Sequence, residues 1–287
     1  MLSYPGSTMS GRVYLLAAAL LFSTGGAVIK ATTMTSWQVA SLRSLVAGVV
    51  LLAILPESRR GWTWRTGGAG VAYAVTLVSF VLATKLTTGA NAIYLQATGP
   101  LYLLVLGPVF LKERLRRADW GLGAAVAVGM VFFYLDPAVA TGTAPDPVRG
   151  NWYGALSGLG WGITVACLRG AAREGGGSLG AVAVGNLLAF AAALPMAWPV
   201  KVLEAVDWLA VLYLGSIQIG LAYWCLTRGL AQVPAFTASA LLLLEPALNP
   251  VWTGLVHGEV PSRYSVAGGA IILAATFWAA STHQALE

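Results

Sequence analysis

Charged side chains are scarce in this sequence: only 10% of its 287 residues are Asp, Glu, Lys or Arg, against about 25% in a soluble domain. With a mean hydropathy of +0.74, too few polar groups are present to cover a water-facing surface. That excludes a soluble globular protein and points to lipid as the solvent. Several motifs are also missing: a phosphate-binding Gly-Lys-Ser/Thr loop, paired histidines at metal spacing and a Gly-x-Ser-x-Gly elbow. A pump driven by ATP hydrolysis on this chain is therefore excluded, and neither a cofactor nor a metal is expected. His257 and His283 stand singly. The two cysteines, Cys167 and Cys225, lie inside apolar runs with no metal-ligand or disulfide pattern, and both read as buried thiols. The excess of 17 basic over 11 acidic residues is scattered between apolar runs, so it reports loops beside anionic lipid and not a nucleic-acid partner.

What is present is a series of apolar runs near residues 12–30, 36–55, 67–85, 91–111, 119–135, 151–169, 178–198, 208–227, 235–257 and 263–282. A membrane span needs roughly 20 such residues, so the chain has room for ten spans with short loops and no separate soluble domain. Pro56, Asp136-Pro137 and Gly175-Gly176-Gly177 punctuate the connections. The first run carries no small-residue cleavage site and is expected to be a retained helix. Residues 137–150, rich in Gly, Pro and Thr, read as a linker between residues 1–136 and 151–287.

Counting basic residues in alternate loops sets the orientation. With the N-terminus inside, the inner loops collect Arg12, Arg59, Arg60, Arg65, Lys112, Arg114, Arg116, Arg117, Arg169, Arg173 and Arg228. The outer loops collect only Lys30, Lys85, Arg149, Lys201 and Arg263. Eleven against five places both termini in the cytoplasm and the chain in a bacterial-type inner membrane.

Two landmarks recur at one displacement. Pro100 and Pro246 are 146 residues apart, and so are Glu113 and Glu259. A looser match at 139 residues pairs Tyr14 with Tyr153, Phe22 with Trp161 and Lys30 with Arg169. The expected fold is thus all-α and integral to the membrane, with ten transmembrane helices as two five-helix repeats. Because five is odd, the second repeat is inverted, a plan that lets two halves rock about a midplane site.

The five spans per half, the segment from Trp37 through Arg43 to Leu51, and the Pro100/Glu113 and Pro246/Glu259 signature resemble the drug/metabolite transporter superfamily of the EamA type. Within it the sequence looks most similar to aromatic amino-acid exporters of the YddG type. The resemblance implies a central cavity lined by the first four helices of each half, with the fifth and tenth peripheral.

Candidate site residues are the few polar and aromatic groups inside spans. Asn91, Tyr94, Thr98 and Tyr102 form one helical stripe, costly against lipid and suited either to a cavity or to helix packing. Trp161 lies deep in its span beside Ser157 and Thr164; it can stack on a substrate ring or fill a gap. Gln218 is a deep amide. Arg43 needs a partner, either a substrate carboxylate or a structural tie. Glu245, on a face shared with Asn249 and Trp252, can bind an amine, carry a proton or pair with Arg43. Prolines at 100, 108, 246 and 250 are expected to kink the fourth and ninth spans. The resulting expectation is a secondary exporter of amino acids, aromatic ones preferred, working by alternating access. Other metabolites or lipophilic drugs on the same scaffold, or an integral-membrane enzyme with a polar cluster near one face, are the alternatives. The partners expected are a small-molecule substrate and lipid, and a monomer is an admissible state.

Overall fold

The computed structural model describes residues 10–284 except 61, 112–116, 137–138, 174–177, 201–203, 231 and 233–240. Glu113 of the repeat signature and the glycine run at 175–177 lie outside the described residues. Among those described, the chain is all-helical apart from one isolated bridge between Thr141 and Ala144.

The helices are α1 (Gly11–Ser23), α2 (Gly25–Ala31), α3 (Ser36–Ile54), α4 (Trp64–Leu86), α5 (Gly89–Gln96), α6 (Gly99–Leu106) and α7 (Arg117–Leu135). After the linker come α8 (Pro147–Arg173), α9 (Ser178–Ala197), α10 (Ala205–Leu212), α11 (Ala222–Leu230), α12 (Leu244–His257) and α13 (Arg263–Gln284). Six helical stretches are long and apolar enough to cross a membrane: Gly11–Ala31, Ser36–Ile54, Trp64–Leu86, Gly89–Val109, Leu179–Ala197 and Ala205–Leu230. Trp120–Leu135 is a shorter apolar helix. The sequence expects ten such spans. α8 has the length, at 27 residues, but is diluted by glycine, and 14 residues of α12 lie among those described.

Local chemistry explains the element ends. Thr35 opens α3 with a capping box: its hydroxyl accepts the Gln38 N–H at 3.2 Å while Gln38 Oε1 accepts the Thr35 N–H at 3.0 Å. Thr63 and Thr88 cap α4 and α5 with a single backbone bond each, their hydroxyls accepting the Thr66 and Asn91 N–H. α12 stops at Gly258, whose φ of 68° is the left-handed conformation that a glycine adopts without a Cβ penalty. Pro100 stands in the first turn of α6, just after the break at Ala97 and Thr98. π-helical segments run over Gly107–Leu111 and Tyr213–Leu221.

Packing joins the part before the linker to the part after it. α4 lies along α8 and α9, α3 along α9 and the segment Tyr213–Leu221, and α1 along α11 and α12. α5 and α6 pack on α8, and α7 pairs with α13. One core cluster gathers Ile29, Val39, Phe80, Val81, Val211 and Leu214. Another holds Leu51, Leu77, Val182, Ile219, Tyr73 and Tyr223. Leu95, Val126, Phe133 and Ile272 seal α7 against α13.

Candidate functional site

One end of the bundle is closed by charges. Lys30, at the end of α2, pairs with Glu259, and both side chains are almost fully buried. The same ammonium donates to the Thr87 carbonyl at 2.8 Å and to the Thr143 carbonyl. Glu259 Oε2 in turn accepts the Gly89 N–H at 2.8 Å. Beside them Lys85 Nζ donates to the Thr32 carbonyl at 2.6 Å. Asp207 accepts the Thr33 N–H at 2.8 Å and its hydroxyl at 2.6 Å. Buried ions persist only when paired and hydrogen-bonded. This cluster meets that condition by tying together α2, α4, α5, the linker and the α12–α13 connection.

The stripe of Asn91, Tyr94, Thr98 and Tyr102 faces neighbouring helices. Asn91 Nδ2 donates to Asn151 Oδ1 at 3.2 Å, and Asn91 Oδ1 accepts from Ser265. Thr87 donates to the same Asn151 oxygen at 2.9 Å, and Asn151 Nδ2 donates to the Phe133 carbonyl at 3.0 Å. Tyr94 stacks at 6.0 Å from Phe133 and abuts Gly269. Thr98 donates to the Leu95 carbonyl at 2.6 Å, and Tyr102 to the Ala155 carbonyl at 3.2 Å. Asn91 also borders a cavity of about 320 Å³ with Asp136, Asn151, Ser262 and Ser265. Tyr102 borders an apolar groove of about 420 Å³ with Trp152 and Tyr134.

A separate cluster forms where α3, α4, α8, α11 and α12 approach one another. Arg43 is 2% exposed, and its Nη2 donates to the Leu77 carbonyl at 3.2 Å. Its Nε has no partner among the described residues. Tyr73 lies within electrostatic reach of both Arg43 and Glu245. The Tyr223 hydroxyl donates to that of Tyr73 at 2.8 Å, and Tyr223 also feels Glu245. Trp161 sits 6.3 Å from the Tyr73 ring, and Phe22 sits 5.2 Å edge-on from Tyr223. Glu245 is half-buried in the first turn of α12, with no ion pair or hydrogen bond to any described side chain. Gln218 Nε2 donates to the Phe22 carbonyl at 3.3 Å, and Trp252 Nε1 donates to Ser23 Oγ at 2.9 Å.

Of the eight residues singled out from the sequence, the fold therefore brings Arg43, Trp161, Gln218 and Glu245 to one region. The other four lie along α5 and α6. Tyr73, Phe22 and Tyr223 complete the region; the repeat had paired Phe22 with Trp161, whereas Tyr73 and Tyr223 are each one aromatic ring in an apolar helix. Chemically the site combines a carboxylate with no ion pair or hydrogen bond among the described residues, a guanidinium and four aromatic rings. Such a set can hold a solute with a charged head and an apolar or ring-bearing tail.

The family model described as "EamA-like transporter family" matches residues 9–135 and again 148–281. The pseudopaline exporter CntI of Pseudomonas aeruginosa strain UCBPP-PA14 is 25% identical over 277 residues, covering 93% of this chain and 94% of its own. The protein of the same description from strain ATCC 15692 matches to the same extent. A crystal structure of a protein with 22% sequence identity superposes with a TM-score of 0.64, covering 96% of this chain and 98% of the other.

Proposed function

The chain belongs to the EamA-like transporter family, and on that premise we propose that it is a secondary exporter of small amphiphilic metabolites, amino acids with aromatic side chains among them. The observation that carries this reading is the meeting of Arg43 and Glu245 with Tyr73, Trp161 and Tyr223 between the two parts of the chain. A carboxylate within an apolar membrane bundle is expensive unless it serves a ligand, a proton or a partner charge. The transporter reading over an enzyme rests on the family model's match over both parts of the chain and on the exporter relatives.

Alternating access between two inverted halves is supported by the pairing of helices. If the ten sequence runs are numbered in order, the contacts α4·α8 (third with sixth) and α1·α11 (first with eighth) exchange when five is added to each number. The contacts α5·α8 and α1·α12 exchange likewise, while α3·α9 and α7·α13 map onto themselves. The family model's double match supports the same division. With the N-terminus inside, the Lys30–Glu259 end faces outward and is the closed gate, so the cluster around Glu245 is reached from the cytoplasm.

The test is flux in proteoliposomes for a panel of radiolabelled amino acids, with and without a pH gradient. Saturable movement of aromatic amino acids is expected, and no movement of any amino acid would reject this cargo class. Because two relatives are pseudopaline exporters, pseudopaline belongs in the panel as the competing cargo.

A further inference from the structure

Three helices lose regular backbone at one place. α1 ends at Ser23 and α2 begins at Gly25, so the first rod breaks at Thr24. The segment Tyr213–Leu221 is π-helical and carries Gln218. α12 carries Pro246 in its first turn and Pro250 inside, with Asn249 between them. Irregular backbone within an apolar bundle is retained where it builds a site, and π segments concentrate there.

The side chains at this place have unmet hydrogen bonds. Asn249 is 1% exposed, and neither its Oδ1 nor its Nδ2 has a partner among the described residues. Gln218 is 6% exposed, and its Oε1 is likewise without a partner. Both amides rest on adjacent glycines of the broken rod. A Cβ on Gly26 would meet Asn249 Oδ1 at 2.6 Å, and one on Gly25 would meet Gln218 Nε2 at 2.9 Å. An amide left unpaired in an apolar interior loses the full desolvation penalty of its polar atoms. Helix packing alone would be served better by an apolar side chain at 249, so the unmet groups point to a ligand.

We infer that Asn249 and Gln218, seated on Gly25 and Gly26, form the subsite for the polar head of the cargo, an α-amino carboxylate. The inference rests on the proposed exporter reading. Asn249 offers a donor for the carboxylate and an acceptor for the ammonium, and Gln218 Oε1 offers a second acceptor. Glu245, one turn before Asn249 on the same helix, supplies the countercharge to the ammonium. The aromatic rings of Phe22, Tyr73, Trp161 and Tyr223 hold the other end.

The experiment measures inhibition of radiolabelled L-phenylalanine flux in proteoliposomes by phenylalanine, by phenethylamine (no carboxylate) and by 3-phenylpropionate (no amine). The wild-type protein should prefer phenylalanine over either fragment by about tenfold or more, as expected when buried polar groups read the missing function. Asn249→Ala should shrink that preference to about threefold or less, because phenylalanine loses both the donor and the acceptor whereas each fragment loses only one. Asn249→Asp should weaken phenylalanine and strengthen phenethylamine, because it exchanges the donor for a second negative acceptor. Gly26→Ala tests the same subsite while keeping the amide itself, which the added methyl displaces. Its added methyl meets only the far end of the Asn249 side chain, so the protein should fold and behave as Asn249→Ala does. Size-exclusion profiles in detergent confirm the fold of each variant. Unchanged preference in both Asn249→Ala and Gly26→Ala, with the wild type active, overturns the subsite alone. A wild type that moves no amino acid overturns the functional reading and the subsite with it.

Discussion

At the scale of single residues, the Lys30–Glu259 pair has the largest energetic consequence. Both partners are nearly water-free, and neither can be removed without leaving the other uncompensated. Breaking a buried pair from one side costs about 3–5 kcal/mol, whereas replacing both by neutral groups is often close to neutral. Lys30→Met should therefore lower stability by about that amount, and the double variant Lys30→Met/Glu259→Gln should recover most of the loss. Thermal unfolding in detergent checks this, and equal losses in the single and double variants would argue against coupling between the two charges. Glu245 is a different case, since no described side chain forms an ion pair with it. If its carboxylate carries a coupling proton, Glu245→Gln should abolish the stimulation of flux by a pH gradient while leaving downhill exchange in place. Loss of both would assign the carboxylate to cargo binding instead. Flux with and without the gradient in the same vesicles separates the two outcomes.

At the scale of elements, α8 shows how glycine sets distance between helices. A Cβ on Gly158 would meet the Leu95 carbonyl and the Thr98 hydroxyl oxygen, each at 2.6 Å, so α8 approaches the α5–α6 break as only a bare Cα can. Gly158→Ala has backbone to displace and should destabilise by about 1–3 kcal/mol. Gly67→Ala, in α4, meets nothing within 4 Å and should be neutral or gain up to about 1 kcal/mol from helix propensity. Unfolding midpoints of the two variants, measured side by side, check the contrast. The same helices show what was legible beforehand. Apart from the ninth run, whose first residues lie outside those described, apolar runs located the rods to within a few residues, because a long run in a low-charge chain has few other uses. Pro100 located the break before α6. The stripe Asn91, Tyr94, Thr98 and Tyr102 was legible as one face of a helix. Which neighbours that face meets was not, since Asn151, Ser265 and Gly269 arrive from elements far along the chain. For the same reason Tyr73 and Tyr223, 150 positions apart in sequence, became a pair only in the fold. The run near 151–169 marked α8 despite its glycines, whereas the helices those glycines let approach closely were not legible.

At the scale of the whole molecule, the proposed alternating-access reading makes the charge cluster at the Lys30 end the gate of one of two states. In a rocking mechanism the two states differ by a few kcal/mol, so removing a gate interaction should shift the population toward the other. Lys30, Glu259, Lys85, Asp207 and their hydrogen-bond partners are contacts of the state described here. Weakening them should therefore favour opening at their end. The background for the test replaces Cys167 and Cys225 with Ser and introduces Trp161→Cys as the reporter in the central cluster. A membrane-impermeant maleimide added outside intact cells should label this cysteine poorly while the gate holds. Adding Lys30→Met/Glu259→Gln should raise outside labelling several-fold and reduce labelling from the cytoplasmic side of inverted vesicles. A C-terminal alkaline phosphatase fusion, active only outside the cytoplasm, should be silent, which fixes which side is which. If the fusion is silent and outside labelling is unchanged by the double variant, the charge cluster is a structural clamp and not the gate. If the fusion is active, the orientation read from eleven inner against five outer basic residues is reversed, and the same cluster closes the cytoplasmic side.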